Sequence, residues 1–458
     1  MEHAGLKASS SSTPRAGTHG TMRVLFINQF FCPDVAATAQ LLTDLAEDLT
    51  ARGFAVTVLT GRASYADGHD LGPPRDVHGG IRIYRVGGVP LRRKTVWSRM
   101  VSYLIFWLSA TLRCLRLPRH DIVVTLTTPP LLSCLGVLLK WITSSAAVCW
   151  SMDVYPELGV RLGAIRAGSI PARLLRILNA WSLRRTDVVV ALGPHMARAL
   201  VAKGVPAGKI CILPTWEDAR LVAPISPEAN LFRIEHGLDG RFVVLYSGNL
   251  GAAHEFNTIL DAAACLADET EIVFLFTGGG PCKSGLEEVV KSRGMKNVRF
   301  LPYQPRERLR FSLSAGDAHV VTLRGGFAGL LVPSKFVGGL AAGRPILFVG
   351  PKTGEIPDAL AAGRCGVVVE PGDSTTLARA ILDLRQNTAM RVEMGRNARA
   401  LFERDYARDS VTNRFADLLI GIGCGAPVPR REDRRSLLTA GSSLPANETT
   451  RTGGTRHP

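Results

Sequence analysis

The sequence predicts an α/β protein of two successive halves, each a largely parallel sheet flanked by helices. Three observations lead there. Short apolar runs rich in Val, Ile, Leu and Phe recur along most of the chain. Stretches with helical spacing separate them, and strands that alternate with helices while staying apolar on both faces indicate buried parallel strands. After a polar stretch near 217–240 the alternation begins again.

In the first half, strands are expected at 22–28, 56–60, 81–86, 121–126, 146–150 and 187–192. A helix over 36–52, ended by Gly53, follows the first strand, and helices near 96–116, 131–143, 171–185 and 194–203 separate most of the others. The second half predicts strands at 242–248, 271–278, 297–302, 318–323, 345–350 and 366–371. Its helices fall near 254–267, 283–293, 305–315, 333–342 and 355–362. Pro333 suits a first helical position, with Ser334 and Lys335 in the first turn, and Gly343 and Pro345 end that helix. A last helix is expected over about 408–422. The organisation is therefore a disordered leader (1–21), a first Rossmann-like domain (22–225), a second (226–405), a terminal helix (406–423) and a disordered tail (424–458) rich in Pro, Gly, Ser, Thr and Arg.

With 458 residues, 46% apolar and 21% charged, the chain has length for two large cores. Its nine cysteines are scattered, with no C-x-x-C pair, which favours a reducing compartment over a disulfide or zinc framework. Residues 1–21 lack an apolar stretch, so no signal peptide is expected. The formal net charge is +16, and nine cations with no acid fall within 82–120. Such a cluster calls for an anionic partner. No recognition motif or aromatic stacking series accompanies it, so nucleic acid is not expected. Within it, 99–117 reads as a helix with Arg99, Ser102, Ser109, Arg113 and Arg116 on one arc and Tyr103, Leu104, Ile105, Trp107, Leu108 and Leu112 elsewhere. Its longest uncharged run, Met100–Leu112, is 13 residues, too short to span a bilayer. A helix lying on anionic lipid, with Arg92, Arg93, Lys94, Arg99, Trp107 and Arg113 toward the membrane, is one reading; an ordinary helix between strands is the other.

The segment PSKFVGGLAAGRPILFVGP (333–351), followed by Gly354-Glu355-Ile356 and CGVVVEPGD, resembles the donor-binding half of glycosyltransferase family 4-like enzymes. YSGNLGAAHEFNTILDAA (246–263), FTGGGPCKSGLEEVV (276–290) and NVRFLPYQPRERL (297–309) are similar to the same family in order and spacing. The opening strand, TTPPL (127–131), MDVYPELG (152–159) and ILPTWED (212–218) resemble bacterial members that build surface polysaccharides. The resemblance spans about 22–422. It implies the GT-B architecture, two Rossmann-like domains facing a cleft with a C-terminal helix beyond the second sheet. It also implies a retaining, metal-independent transferase without a cofactor, taking a nucleotide-sugar, most often UDP-linked, to a lipid-linked or glycan acceptor. The place of action would be the cytoplasmic, inner face of a membrane, as a peripheral protein.

Candidate site residues follow. A helix starting at Ser334 and Lys335 at the mouth of a parallel sheet offers amide donors, a positive dipole end and an ammonium to a diphosphate; a capping Ser and a solvated Lys is the plain alternative. Gly278 and Gly279, in the run ending at Gly280, let backbone approach a ligand, or form only a tight turn. The family often has Arg and Lys where this chain has Asn249 and His254. Asn249 still donates a hydrogen bond, and a protonated His254 would face phosphate; a capping Asn and a surface His is the alternative. Glu355 lies in the family's donor-binding segment. Many members carry two glutamates, on donor sugar and ribose, where this chain has Leu330 and Gly338. Asp153 and Glu157 follow the strand 146–150 at the carboxyl edge of the first sheet, where Asp153 would orient the acceptor hydroxyl or take its proton, or else merely cap a turn before Pro156. No metal ligands are expected. The missing acids motivate a second reading, a non-catalytic nucleotide-sugar-binding partner, beside that of another GT-B enzyme, an inverting transferase or epimerase.

Overall fold

The computed structural model describes residues 21–65, 68–87 and 96–425. The leader, nearly all of the tail, and Arg92, Arg93 and Lys94 lie outside the described residues. Two sheets organise the chain, as the alternating pattern requires. The first contains β1 (Arg23–Ile27), β2 (Ala55–Gly61), β3 (Arg75–His78), β4 (Ile81–Val86), β5 (Ile122–Thr125), β6 (Ala146–Ser151), β7 (Val188–Ala191) and β8 (Ile210–Ile212), in the order β3-β4-β2-β1-β5-β6-β7-β8. The second contains β9 (Phe242–Ser247), β10 (Ile272–Thr277), β11 (Val298–Leu301), β12 (Ala318–Thr322), β13 (Ile346–Val349) and β14 (Gly366–Val369), in the order β11-β10-β9-β12-β13-β14. All pairings are parallel except β3 with β4. In both sheets the strand order reverses beside the first strand, and open α/β sheets bind ligands at such a point, beyond the carboxyl ends.

The helices of the first half are α1 (Ala37–Ala51), α2 (Val96–Cys114), α3 (Leu132–Thr143), α4 (Glu157–Arg161), α5 (Ile170–Arg185) and α6 (Pro194–Ala202). Those of the second are α7 (Leu231–Glu235), α8 (Asn257–Cys265), α9 (Lys283–Ser292), α10 (Leu309–Ser314), α11 (Lys335–Ala341), α12 (Glu355–Gly363), α13 (Ser374–Gln386) and α14 (Thr388–Asp405), before a closing α15 (Arg408–Gly423). Among the described residues, six strands and α-helices were not expected from the sequence: the five-residue α4 and α7, and β3, β8, α13 and α14. β3 is the polar, fully exposed RDVH on the sheet edge, and β8 has three residues, so neither carries an apolar signal. α13 and α14 are announced only by caps: Asp373 accepts from Thr376 N, and Asn387 from Met390 N. The helix expected over 305–315 is a 3₁₀ turn at Arg306–Arg308 running into α10.

α15 lies beyond the second sheet in sequence but returns in space to the first domain. Its Val411, Phe415 and Leu419 join that domain's core, and Phe415 meets Trp150 edge-on at 5.1 Å, beside the stacked Trp150 and Trp216. The chain crosses between domains at two adjacent points, where Glu217 N donates to Tyr406 O and Arg408 N to Glu217 O. There the buried Arg408 guanidinium reaches Asp44, Glu47, Asp48 and Asp218, while Arg306 of the second domain also reaches Asp44, at 2.6 Å.

Candidate active site

The donor side is built from strand ends. At the end of β9, Gly248 takes φ +125°, and a Cβ there would press on the Lys335 side chain, 3.2 Å from Cε. Gly278, at φ +138° after β10, sits so close to the Gly248 carbonyl that no Cβ fits. Leu250 N donates to Gly279 O at 2.7 Å and Cys282 N to Leu250 O at 3.0 Å, so the two glycine loops are locked together.

Lys335 opens α11 and is half-buried against this pair of loops. Its Nζ lies 2.9 Å from His254 Nε2 and 5.2 Å from the centre of the Tyr246 ring. The other nitrogen of His254, Nδ1, is 2.7 Å from the Thr322 carbonyl oxygen, an acceptor, so Nδ1 carries the proton and Nε2 accepts from the lysine. Burial and the neighbouring Lys335 push the His254 pKa down to about 3. The protonated, phosphate-facing His254 of the sequence reading does not fit this arrangement, and neither does a surface His: the ring is a neutral prop for Lys335. Burial lowers the Lys335 pKa to about 7. Ser334 is exposed and its side chain caps nothing, and no helix starts at Asn249, whose carbonyl accepts from Tyr246 Oη at 2.9 Å.

Two donor-site expectations change. Leu330, standing where the family has an acid, packs on the first domain's core, and its carbonyl accepts from Val154 N at 2.8 Å. Gly338 is buried, with Leu313 3.5 Å from where its Cβ would be, within the apolar cluster of Phe336, Val337 and Leu340. An acid at 338 would be buried in apolar surroundings, whereas position 330 is only partly buried. Glu355 is drawn across the cleft, where its Oε1 accepts from Met196 N at the start of α6, at 2.7 Å, and Asp358 meets His195 at 2.7 Å.

On the first-domain side, Asp153 follows β6 and forms an antiparallel bridge with Leu331, four residues before Lys335. Its backbone N–H donates to Thr127 Oγ1 at 3.2 Å. Its carboxylate has no hydrogen-bond partner among the described residues, and burial raises its pKa to about 7. Glu157, grouped with Asp153 in the sequence reading, turns away: it opens α4 and is engaged by Lys203, which also donates to Tyr155 O, with Arg176 at 3.7 Å. Its carboxylate therefore holds the fold beside the site. Of the expected residues, the structure gathers Lys335, Ser334, His254, Asn249 and the glycines together, and bridges Asp153 to Leu331, four residues before Lys335. The prop role of His254 was beyond sequence reasoning, because its partners lie 68 and 81 residues away.

Comparison with known proteins now adds to this geometry. Residues 37–216 match the glycosyl transferase 4-like domain family and residues 229–401 the glycosyl transferases group 1 family, and the two matches together span most of the chain. WcaI of Escherichia coli K12, a glycosyl transferase named for colanic acid biosynthesis, is 25% identical over 334 residues, covering 70% of this chain and 82% of its own. Among solved structures, sucrose-phosphate synthase from Thermosynechococcus elongatus superposes with a TM-score of 0.70 at 16% identity, covering 88% of this chain and all of that one. HepE from Anabaena in complex with UDP-glucose superposes with a TM-score of 0.65 at 17% identity, covering 87% and 100%.

Proposed function

For a chain that belongs to the glycosyl transferase 4-like and group 1 families and has their GT-B fold, we propose a retaining transfer of a sugar from a UDP-linked donor to a lipid-linked or glycan acceptor in surface polysaccharide biosynthesis. One observation carries this reading: Lys335, propped by His254, stands beside the glycine loops at the carboxyl edge of the second sheet, and Asp153, whose carboxylate has no hydrogen-bond partner among the described residues, is bridged from the first domain to Leu331, four residues before that lysine. UDP-glucose in the HepE structure supports the choice of donor, and the name of WcaI supports polysaccharide assembly.

In this reading the donor diphosphate lies against Lys335, the exposed Ser334 hydroxyl and the glycine loops. As the anomeric C–O bond breaks, the electron pair and negative charge move to the diphosphate, where the ammonium stabilises them without a metal. Asp153 orients the acceptor hydroxyl, whose proton passes to the departing phosphate oxygen or to the carboxylate. Acceptors carried on lipid place the enzyme at the inner membrane face as a peripheral protein. No helix among the described residues is long and apolar enough to cross a membrane.

The test screens nucleotide sugars by thermal shift and assays the best with a membrane lipid extract and with soluble glycans, in the presence of EDTA. The anomeric configuration of the product is then read by NMR. The expected result is stabilisation by a UDP-sugar and a product with the donor's configuration. An inverted product overturns the mechanism. Loss of activity with EDTA overturns metal independence. The partly buried Leu330 and the buried Gly338, in place of two acids, favour a second reading, a nucleotide-sugar-binding partner without activity; donor binding with neither transfer nor hydrolysis would establish it.

A further inference from the structure

α2, α3 and α5 lie side by side on one face of the first sheet. Phe106, Ala110 and Cys114 of α2 and Leu132, Leu135 and Leu139 of α3 form one core cluster against Leu25, Ile27 and Val123, while Ser133 and Ser182 join α3 to α5 at 2.7 Å. A helix in such a layer normally turns polar residues outward. These turn apolar residues outward as well, beside arginines on α5. α5 exposes Ile170 (82%), Leu174 and Ile177 (66%), spaced i, i+4, i+7 along one stripe. α2 exposes Met100, Leu104 (59%), Leu108, Leu112 and, just past its end, Leu115, again one stripe, whereas Trp107, expected to face a membrane, packs partly against the core. The end of α3 exposes Trp141 and Ile142 (57%).

The helices of this layer carry cations only, and two of these are paired from outside it, Lys140 with Asp187 at 2.5 Å and Arg176 with Glu157 at 3.7 Å. None of the three helices contains an acid. Arg116 and Arg173 are exposed and have no ion-pair partner among the described residues. Arg185 lies over the rings of both Trp141 and Trp181, at 5.6 and 5.4 Å, a pairing suited to the boundary between water and an apolar phase.

We infer that α2, the end of α3 and α5 together form a docking face for an anionic lipid bilayer. Exposed apolar stripes on several helices, rimmed by unopposed cations, match headgroups outside and acyl chains beneath. A second copy of the chain is the poorer occupant, because it would bring the same unopposed cations against these. The inference rests on the reading of a membrane-borne acceptor and extends the contact from the sequence-predicted helix to α5, which lies outside the basic segment 82–120.

The test is co-sedimentation of the full chain with phosphatidylcholine vesicles and with phosphatidylglycerol-rich ones. It compares wild type, an α5 variant (Ile170→Gln, Leu174→Gln, Ile177→Gln) and an α2 variant (Leu104→Gln, Leu108→Gln, Leu112→Gln), with Ile170→Glu alone as a milder probe of α5. Wild type is expected on anionic vesicles only, and each triple variant to lose at least about tenfold in partitioning, with transfer to a soluble glycan unchanged. An α5 variant that binds like wild type, beside an α2 variant that does not, overturns the inference and leaves the membrane reading intact. Wild type that ignores both vesicles overturns both, while transfer to soluble glycan decides the enzymatic reading separately. A change from dimer to monomer in the α5 variant, without change on vesicles, makes this face a contact between copies and overturns the inference.

Discussion

On the second-domain side of the cleft, Lys335 is fixed by His254 and Tyr246 and pressed against Gly248, and two glycine loops are hydrogen-bonded into one unit. On the first-domain side, the Asp153 backbone is held by its bridge to Leu331 and by Thr127 and Ser151, while its carboxylate has no partner among the described residues. The outer surfaces repeat the contrast. In the second domain, α9 carries Glu287 and Glu288, with Lys283 reaching Glu287 at 3.7 Å, an ordinary solvated face. In the first domain, α5 exposes Ile170, Leu174 and Ile177 with no acid. In the proposed function, one domain is finished for a small anionic ligand. The other is left incomplete toward whatever brings the acceptor. A diphosphate has a fixed size and charge, so its site can be preorganised, whereas an acceptor that arrives from a surface completes its own half of the cleft.

The sharpest way to break this contrast is Lys335→Ala. If the preassembled side stabilises the leaving group, kcat falls by about a hundredfold, the scale of losing one charge-stabilising donor; unchanged turnover at donor saturation would show that the lysine only packs. A smaller effect, about tenfold in kcat/KM, is expected for Asp153→Asn if the carboxylate orients the acceptor, and donor binding by thermal shift should stay as in wild type. The pH profile separates the two sides further. Asp153 is raised to about 7 and ionises as pH rises, whereas Lys335 is lowered to about 7 and loses its charge over the same interval. The free enzyme's kcat/KM should therefore be bell-shaped around neutrality. Asp153→Asn should remove the rising limb, and Lys335→Arg, which stays charged, should move the falling limb upward. The smallest change expected is about fivefold in kcat/KM for His254→Leu, close to the roughly 1 kcal/mol of one net hydrogen bond. No change there would mean that Lys335 needs no prop.

The two sheets, the second start of the pattern near 240 and a helix near 333–342, which in the structure opens at Lys335 and leaves Pro333 outside it, were legible in the sequence, because each rests on local periodicity or on a Pro, Gly or capping residue close by. The edge strand RDVH was not legible, since it is held by pairing with β4 and buries nothing. Leu330 and Gly338 could be seen as departures, but their meaning could not. Leu330 meets the other domain's core, and Gly338 lies in an apolar cluster with Leu313 across from it.

By itself the sequence determined the α/β class, the two successive halves and the family, and singled out Lys335 as a candidate, since these follow from spacing along the chain. Tertiary structure alone decided that His254 is neutral beneath Lys335, that Glu157 belongs to Lys203 and Glu355 to the start of α6, and that α15 seals the first domain. Protonation and pairing depend on which groups lie within a few ångströms, and here the partners are separated by tens to hundreds of residues along the chain.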